Sequence, residues 1–435
     1  MARAKKEAAL TPEERLQAAL VPDWEWPYKL PGNWCWTYLT KAAECLDNFR
    51  KPINATERAG RNGNVPYYGA TGQVGWIDDF LTDEDLVLLG EDGAPFLDLI
   101  KDKAYLITGK AWVNNHAHIL RSLFGDTGNR YLLHYLNSFN YAGYVNGTTR
   151  LKLTQASMDT IPIPLPPLAE QQRIVDRIES LFAKLDEAKE KAQTVVDSFE
   201  TRKAAILHKA FTGELTAKWR EEHGVSIDNW KTTRFDSVAA IRSNLVDPAE
   251  YQSFPHIAPD NIEKKTGVLL EYHTIAEDGV TSGKHRFYSG QILYSKIRPY
   301  LSKAVVVDFD GLCSADMYPI EAYQNARCLW YYMLSDEFLL QASTAGSRSV
   351  LPKINQKELS ALTVHLPTND REQEEIARIL DELFDKEQQT KEAAEVVLDQ
   401  IDLMKKSILA RAFRGELGTN DPSEESAVEL LKQIF

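Results

Sequence analysis

Apolar residues recur in alternating steps of three and four along two long stretches of the chain. In the first stretch they fall at Ile174, Ile178, Leu181, Leu185, Ala188, Ala192, Val195, Phe199, Ile206 and Ala210. In the second stretch they fall at Ile376, Leu380, Leu383, Ala394, Val397, Ile401, Met404, Ile408 and Ala412. This spacing is typical of a coiled-coil seam. It predicts one helix of about 43 residues, roughly 65 Å long, in each stretch.

The two stretches are copies of each other, displaced by 202 residues. "AFTGEL" at Ala210 to Leu215 returns as "AFRGEL" at Ala412 to Leu417, and the match extends back without a gap to Glu170 and Glu372. Both helices follow their globules in the same order, so pseudo-two-fold symmetry would place them antiparallel, seam against seam. The predicted seam residues are Ile174, Ile178, Leu181, Leu185, Val195, Phe199, Ile376, Leu380, Leu383, Val397 and Ile401. Glu387 and Thr390 interrupt the second seam and would either loosen it or face a partner.

Two segments of about 140 residues show short strand-like apolar runs such as "EDLVLLG", "KAYLITG" and "KAVVVDF", punctuated by Gly and Asn. We therefore predict an α+β protein with two globular domains separated by two long antiparallel coiled-coil helices. The predicted segments are 1–165 (first globule with an N-terminal helical extension), 166–224 (central helix), 225–367 (second globule) and 368–435 (distal helix and tail). Each helix follows a proline-containing loop and ends at Gly213 or Gly415, residues suited to the left-handed turn after a helix.

The chain carries a net charge of −13 over 435 residues, which by itself argues against nucleic-acid binding, since such domains usually carry a basic surface. The acidity is concentrated in residues 370–435, where nine basic and 17 acidic residues give a net charge of −8. Residues 24–165 and 226–366 are each at −2. Both globules therefore have room for local basic clusters.

The remaining composition indicates a cytoplasmic protein with reduced thiols. The N-terminal stretch lacks the features of a signal or transit peptide, and no apolar run approaches the roughly 20 residues of a membrane span. The four cysteines are far apart and form no CxxC pair.

Signals for catalysis are weak. The sequence has no GxxxxGK[ST] phosphate loop, no GxGxxG, no GxSxG elbow and no adenine-methylase quartet. "PDNIEKK" at Pro259 to Lys265 only superficially matches a nuclease carboxylate cluster. His116 and His118 could be alternate metal ligands on a strand, but a hydrogen-bonding role is favoured because no other ligand lies nearby in sequence. We expect no catalytic residues, no metal and no cofactor in this chain.

Polar residues of the kind that read DNA cluster in glycine-containing loops. Arg and Asn can pair bidentately with guanine and adenine edges, while Lys, Ser and Thr contact phosphates. The first globule offers Arg58, Arg61, Asn62, Lys110, Asn114, Asn115, His116, Thr148, Thr149, Arg150 and Lys152. The second globule offers Lys296, Arg298, Tyr300, Lys303, Ser347, Arg348 and Lys353.

The chain resembles the specificity subunits of type I restriction-modification enzymes. The resemblance covers nearly the whole chain. It is carried by "LPPLAEQQRIVDRIESLFAKLDEAK" with "ILHKAFTGEL", by "EQEEIARILDELF" with "ILARAFRGEL", by the tail "GELGTNDPSEESAVELL" and by the opening "VPDWEWPYKLPGNWCW". It implies two target-recognition domains, each reading half of a split site on double-stranded DNA, and helices that act as a ruler between them.

The resemblance also implies two methylase (modification) subunits docking on the repeated regions, and restriction subunits that cleave DNA. S-adenosylmethionine, ATP and Mg would then belong to these partners. The repeated hexapeptide would be a docking surface presented twice, through Ala210, Phe211, Gly213, Glu214, Leu215, Ala412, Phe413, Gly415, Glu416 and Leu417. Two alternatives stay open: a coiled-coil scaffold whose globules bind protein, and a self-contained restriction enzyme.

Overall fold

The protein is described by a computed structural model that covers residues 11–346 and 352–434. The chain forms two compact units. Unit 1 comprises Met1–Ala192 and Val396–Phe435, and unit 2 comprises Gln193–Glu395. Each unit combines a mixed α+β globule with parts of both long helices, so the α+β fold predicted from the sequence is confirmed.

In chain order, the first half contains the strands β1 (Cys35–Tyr38), β2 (Ala43–Cys45), β3 (Val65–Gly69), β4 (Gly72–Ile77), β5 (Thr82–Asp83), β6 (Leu86–Gly90), β7 (Ala104–Ile107), β8 (Lys110–Val113), β9 (Ala117–Ser122), β10 (Val145–Asn146), β11 (Lys152–Leu153) and β12 (Pro162–Leu165). Its helices are α1 (Pro12–Ala19), α2 (Leu39–Ala42), α3 (Ala55–Ala59), α4 (Gly125–Ser138), α5 (Gln155–Met158) and α6 (Leu168–Asp197).

The second half contains the strands β13 (Trp230–Arg234), β14 (Ala239–Ile241), β15 (Leu245–Val246), β16 (Pro255–Ile257), β17 (His273–Thr274), β18 (Lys284–Phe287), β19 (Ile292–Ser295), β20 (Ala304–Val306), β21 (Gly311–Cys313), β22 (Met317–Ala322) and β23 (Thr363–Pro367). Its helices are α7 (Phe199–Phe211), α8 (Ala217–His223), α9 (Ala326–Met333), α10 (Asp336–Ala345), α11 (Gln356–Ala361), α12 (Asp370–Ala412) and α13 (Ala427–Lys432). Among the described helices, none is both long and apolar enough to cross a membrane.

The two globules share a sheet plan. The first contains sheets of order β2-β9-β6-β7 and β4-β3-β8-β5, and the second contains β14-β22-β19-β20 and β15-β18-β21-β16-β17. In each globule one pair is parallel (β3 with β8, β16 with β21), and a ribbon joins the first strand to the last (β1 with β12, β13 with β23). The strands β9 and β22 therefore hold equivalent positions beside β6 and β19.

The two long helical stretches differ in continuity. The second is one unbroken helix, α12, of 43 residues, as the sequence predicts. The first is divided at Ser198 into α6 and α7, which corrects the prediction of a single helix. Ser198 Oγ donates to the carbonyl of Thr194 at 2.5 Å, and Arg202 Nη1 donates to that of Val195 at 3.2 Å. Side chains that bond these carbonyls compete with the backbone ladder and bend helices.

The helices run antiparallel within unit 1. Lys189 of α6 pairs with Asp402 of α12 at 2.9 Å, and Asp186 of α6 pairs with Lys405 of α12 at 2.5 Å. Residue numbers therefore rise along α6 in the direction in which they fall along α12.

The same antiparallel order occurs within unit 2. Arg202 of α7 donates to Glu387 of α12 at 2.7 Å, and Lys391 of α12 lies 4.9 Å above the ring of Phe199. Glu387, which interrupts the predicted seam, is therefore held by an arginine of the facing helix. Thr390, the other interruption, is exposed, and its hydroxyl donates to the carbonyl of Lys386.

Most of the predicted seam residues are at least half-buried. Ile174, Ile178, Phe199, Ile376, Leu380 and Ile401 are buried, and Leu181, Leu185, Val195 and Leu383 are half-buried. Val397 is 39% exposed, so its assignment to the seam is wrong. On α12 the side chains turned away from solvent are Ala394, Leu398 and Ile401. They are spaced by four and then three residues, whereas the predicted seam through Val397 had a spacing of three and then four.

The first two residues of each copy of the hexapeptide lie in the core of the unit to which that copy belongs. Phe211 packs edge-on against Tyr332 with ring centroids 5.0 Å apart, and Phe413 packs against Tyr131 and Tyr135 at 5.3 and 5.1 Å. The docking prediction is therefore wrong for the buried positions, since side chains that fill a core cannot also bind a partner. The buried positions are Ala210, Phe211, Gly213, Ala412 and Phe413. Gly415, Leu215 and Leu417 are half-buried, and Glu214 and Glu416 are exposed.

The repeated Glu-Gln pair anchors the start of each long helix. Gln171 Nε2 donates to the carbonyl of Pro166 at 3.2 Å, and Gln373 Nε2 donates to that of Pro367 at 2.7 Å. The glutamine thus ties the helix to the proline loop that precedes it. The same glutamine therefore makes the same kind of contact in both copies, although the accepting proline lies five residues before it in the first and six in the second.

Candidate nucleic-acid interface

Three short segments of the first globule cross at one end of its β2-β9-β6-β7 sheet. The backbone N–H of Glu91 donates to the carbonyl of His116 at 2.8 Å. The N–H of Leu153 donates to Glu91 at 2.7 Å, and that of Gly93 donates to Leu151 at 3.0 Å. We call this arrangement the frame. In the first globule it consists of residues 91–93, 114–116 and 150–153.

The second globule contains the same frame. The N–H of Lys296 donates to the carbonyl of Asp316 at 3.0 Å. The N–H of Ile354 donates to Lys296 at 2.9 Å, and that of Arg298 donates to Pro352 at 2.8 Å. Here the frame consists of residues 296–298, 314–316 and 352–354. The equivalence holds bond by bond, so positions in the two frames can be compared directly.

The middle turn of each frame is closed by a side chain at the same position. Asn114 Oδ1 accepts from the N–H of His116 at 2.8 Å, and Ser314 Oγ accepts from that of Asp316 at 3.2 Å. Such Asx and Ser turns hold a loop tip without a regular strand. In the first frame the residue between Asn114 and His116 is Asn115, and it is exposed.

An acidic residue holds each basic residue of the first frame. Arg150 Nη2 donates to Asp92 Oδ1 at 2.6 Å, and the same oxygen is hydrogen-bonded to His116 Nδ1 at 2.8 Å. Lys152 pairs with Glu91 at 2.9 Å. Arg150 and Lys152 remain more than half exposed, so their charges face solvent while their stems are fixed.

A buried charge network lies beneath this frame. Asp47, Glu91 and His118 bring three ligand-type atoms within 4.8 Å of one another. Arg50 pairs with both carboxylates, at 2.9 Å to Asp47 and in a shorter contact to Glu91. Burial tends to raise the pKa of Asp47 and of Glu91, but hydrogen bonds and nearby positive charge hold both below their ordinary values. Arg50 and Lys152 already balance the two negative charges, so the geometry supports a structural network and gives no reason to place a cation there.

The charges are distributed differently in the second frame. Lys296 replaces the acid of the first frame, and its Nζ donates to the carbonyl of Ala315 at 2.5 Å. Lys353, equivalent to Lys152, pairs with Asp316 at 3.3 Å. Arg298 and Tyr300 are exposed at the tip. A group of basic and aromatic side chains therefore meets at the same end of the sheet as in the first globule.

Comparison with known proteins agrees with this duplicated plan. The family described as "Type I restriction modification DNA specificity domain" matches residues 46–195 and 227–397, one copy for each globule. The specificity subunit of the type I restriction enzyme EcoDI from Escherichia coli is 35% identical over 405 residues, which cover 86% of this chain and 89% of that protein. The chain belongs to the family of type I restriction-modification specificity subunits.

Solved structures show the same fold. The HsdS subunit from Thermoanaerobacter tengcongensis superposes with a TM-score of 0.57 at 18% identity, covering 90% of this chain and all of that one. A second chain, from a study of complex assembly in the type I R-M system, superposes with a TM-score of 0.63 at 18% identity over the same shares. The two globules, each matched by one copy of the family's DNA specificity domain, are the target-recognition domains of this specificity subunit.

Two residues predicted to contact DNA point inward in the recognition domains. Asn114 is 8% exposed, and its side-chain oxygen closes the turn at His116. Lys303 has a side chain only 15% exposed, and its Nζ donates to the carbonyl of Pro259 at 2.7 Å. Their assignment to a DNA-binding surface is corrected, because both polar groups are spent on holding their own loops.

A second group of predicted residues lies against the β4-β3-β8-β5 sheet of the first recognition domain, from α3, the loop after it and the start of β8. The guanidinium of Arg58 lies 4.7 Å from the ring centre of Tyr67 and that of Arg61 4.7 Å from Trp112, while Lys110 lies over Phe80 at 4.5 Å. Arg61 also pairs with Asp78 at 2.6 Å, and Asn62 beside it is exposed.

Lys110 and the frame lie at opposite ends of β8, whereas Arg61 stacks on Trp112, the third of the four residues of that strand. Lys110 begins the strand and Asn114 follows its last residue, a separation of about 13 Å at roughly 3.3 Å per residue. The predicted residues of the first domain thus divide into two groups.

Two further predicted residues flank the first frame. Thr148 and Thr149 are exposed in the turn after β10, next to Arg150. Ser347 and Arg348 lie outside the described residues. Sequence reasoning missed Glu91, Asp92 and Asp316, the acids that fix the basic side chains. Glu91 and Asp92 follow a buried strand directly, and a carboxylate at such a strand end is a signal that could have identified them.

Proposed function

We propose that the two frames are the DNA-reading surfaces of this specificity subunit, each contacting one half of a bipartite site on double-stranded DNA. The observation that carries the proposal is the repetition of the frame, bond by bond, in two domains whose exposed side chains differ. A common scaffold with variable exposed groups suits two domains that read different sequences. In the first domain the contacts would come from Asn115, His116, Thr148, Thr149, Arg150 and Lys152, and in the second from Lys296, Arg298, Tyr300 and Lys353.

The group on the second sheet of the first domain would extend this contact. Arg58, Asn62 and Lys110 are at least partly exposed, and stacked guanidinium groups keep their hydrogen-bond donors free for phosphates. Arg61, already paired with Asp78, would contribute through its remaining donors.

The long helices would set the distance between half-sites and carry the partners. We propose the functional division 1–165, 166–224, 225–367 and 368–435, with the second and fourth segments forming the ruler. Two methylase subunits would dock on the repeated regions, where Glu214 and Glu416 remain exposed, and restriction subunits would join them. S-adenosylmethionine, ATP and Mg would be bound by those partners, which would perform the chemistry and complete a positive surface around the DNA.

The test is DNA affinity of the full complex with its methylase partner, measured against salt concentration. A protein that neutralises phosphates loses affinity steeply as salt rises, because binding releases counterions. We expect a steep slope and a preference for one bipartite sequence. A flat curve would favour the scaffold hypothesis, in which the globules bind protein. Methyl transfer by this chain alone, incubated with DNA and S-adenosylmethionine, would contradict its non-catalytic role.

The ruler is tested by inserting one heptad in register into both long helices. Each helix then grows by about 10 Å, equivalent to about three base pairs. We expect the complex to keep both half-sites but to prefer a gap longer by about three base pairs. An unchanged preferred gap would contradict the ruler while leaving the assignment of the frames untouched.

A further inference from the structure

Gly93 and Arg298 occupy the same position in the two frames. Each donates its backbone N–H to the third segment of its frame, Gly93 to Leu151 and Arg298 to Pro352. Each also has a positive φ, +73° for Gly93 and +48° for Arg298. The turn therefore demands the left-handed conformation in both domains.

Glycine is the residue suited to this conformation, because a Cβ in the left-handed region approaches the following carbonyl oxygen. The first domain uses glycine and the second uses arginine. A non-glycine residue held in this region carries a conformational cost, and such positions concentrate at functional sites. Arg298 therefore needs a reason that the backbone does not supply.

The fold does not supply that reason either. Within residues 11–346 and 352–434, the guanidinium of Arg298 has no hydrogen-bond or ion-pair partner, and the residue is exposed. By contrast, Lys296 and Lys353 are each tied to the loop at 314–316. Among the basic side chains of this frame, within the described residues, Arg298 is the one whose charged group is not tied to the loop at 314–316.

The middle turn shows the reverse exchange. Exposed Asn115 in the first domain is replaced by Ala315 in the second. The two domains therefore place an exposed polar side chain on different turns of the same frame. The first domain has the amide of Asn115 on its middle turn, and the second domain has the guanidinium of Arg298 on the turn at 296–298.

We infer that Arg298 reads the edge of a guanine in the half-site of the second recognition domain, and that the first domain reads from its middle turn instead, through Asn115. The inference rests on the proposed function of the frames. A planar guanidinium donates two parallel hydrogen bonds to guanine O6 and N7, which a lysine cannot reproduce. A phosphate contact would not require arginine at this strained position, since Lys296 and Lys353 already supply positive charge beside it.

The test compares Arg298→Gly and Arg298→Lys with the wild-type chain, each assembled with its methylase partner and used to select duplexes from a randomised pool. We expect both variants to lose preference for one guanine in one half-site, by about 5- to 150-fold. The other half-site should be unchanged. Arg298→Gly should unfold at the same temperature as the wild type or at a higher one, because glycine relieves the turn.

Lys265→Gly is the matched control. Lys265 lies in the same domain, is exposed and also has a positive φ of +63°. Its replacement should relieve the backbone to a similar extent and leave every base preference intact.

Three outcomes would overturn the inference: unchanged base preferences in Arg298→Gly, an equal loss of affinity for all sequences, or a lower unfolding temperature for Arg298→Gly than for the wild type. A wild-type complex that selects no bipartite sequence would instead overturn the proposed function itself.

Discussion

Glu170 and Glu372 are equivalent residues at the starts of the two long helical stretches, and they are held in contrasting ways. Both are fully buried. Glu372 accepts hydrogen bonds from four residues within unit 2: Thr216, Arg220, Asn229 and Trp230. The carboxylate is saturated with donors.

Glu170 accepts from fewer residues. Arg173 pairs with it at 2.8 Å and Thr419 Oγ1 donates at 2.7 Å, but Arg173 is also engaged at 2.8 and 2.7 Å with Glu424. A shared arginine and a hydroxyl offset the burial of this carboxylate less fully. One duplicated residue has therefore become a strong ion-pair centre in one unit and a weaker one in the other.

The two pKa values follow this difference. Burial raises the pKa of Glu170, and its hydrogen bonds do not compensate fully. Burial also tends to raise the pKa of Glu372, but the hydrogen bonds from Arg220, Asn229, Thr216 and Trp230 outweigh it and hold that pKa below its ordinary value. The number of hydrogen-bond donors around each carboxylate, rather than its burial, therefore decides whether its pKa is raised or lowered.

The largest expected effect is on stability. Glu372→Ala leaves Arg220, whose side chain is 10% exposed, without its buried partner, and should cost about 3–5 kcal/mol. Glu170→Ala should cost less, about 1–2 kcal/mol, because Arg173 keeps Glu424. Urea unfolding of both variants measures the difference. Glu374→Ala, at an exposed position of the same helix, should change little, and equal losses for the two buried residues would contradict the comparison.

The next largest effect is on the pH dependence of stability, which should differ between Glu372 and Glu170. Because the folded pKa of Glu372 lies below its unfolded value, its contribution is present above about pH 4.3 and is lost as the pH falls through the folded pKa. Glu170 has the opposite sign: its raised pKa lets the folded state take up a proton first, so its unfavourable charge is relieved on acidification.

The free energy of unfolding of Glu372→Gln and Glu170→Gln, measured from pH 7 down to about pH 2.5 against the wild type, tests these signs, because the change at Glu372 is expected below about pH 4.3. The deficit of Glu372→Gln should shrink as the pH falls. Curves that run parallel to the wild type for both variants would contradict the assignment.

A smaller effect is expected from the two frames. Lys152 and Lys353 hold equivalent positions but take their acidic partners from different segments, Glu91 and Asp316. If both contact phosphates, replacing either by Ala should weaken binding about equally for all sequences and lower the salt slope by about 1. Lys218→Ala, at an exposed site on α8, should leave the slope unchanged. A change in base preference for either frame lysine would assign it to base reading instead.

The smallest effect concerns the ion pairs between the helices. Arg202 with Glu387 in unit 2 and Lys189 with Asp402 in unit 1 are both partly exposed. Replacing Glu387 by Gln or Asp402 by Asn should cost no more than about 1 kcal/mol, since partly exposed pairs are screened by solvent. Double-mutant cycles would measure each coupling. A coupling above about 2 kcal/mol at either pair would show that the helices depend on these charges rather than on their apolar contacts.

The sequence by itself determined the repeat, the two long helical stretches and the two α+β globules. These follow from local rules, because a period of three and four places apolar side chains on one helix face whatever that face packs against. The strand stretches at 86–90, 104–107 and 304–306 were visible for the same reason. Family membership followed from the motifs at the helix starts and ends, which structure and comparison both support.

Only the tertiary structure decided what those patterns contact. The break at Ser198, the displacement of Val397 from the seam and the burial of Phe211 and Phe413 depend on side chains far away in sequence. The frame depends on three segments that the fold brings together, so no single stretch could reveal that Arg298 stands where the other domain has Gly93. Periodicity records which face is apolar, whereas partners and backbone conformation are fixed only when distant segments meet.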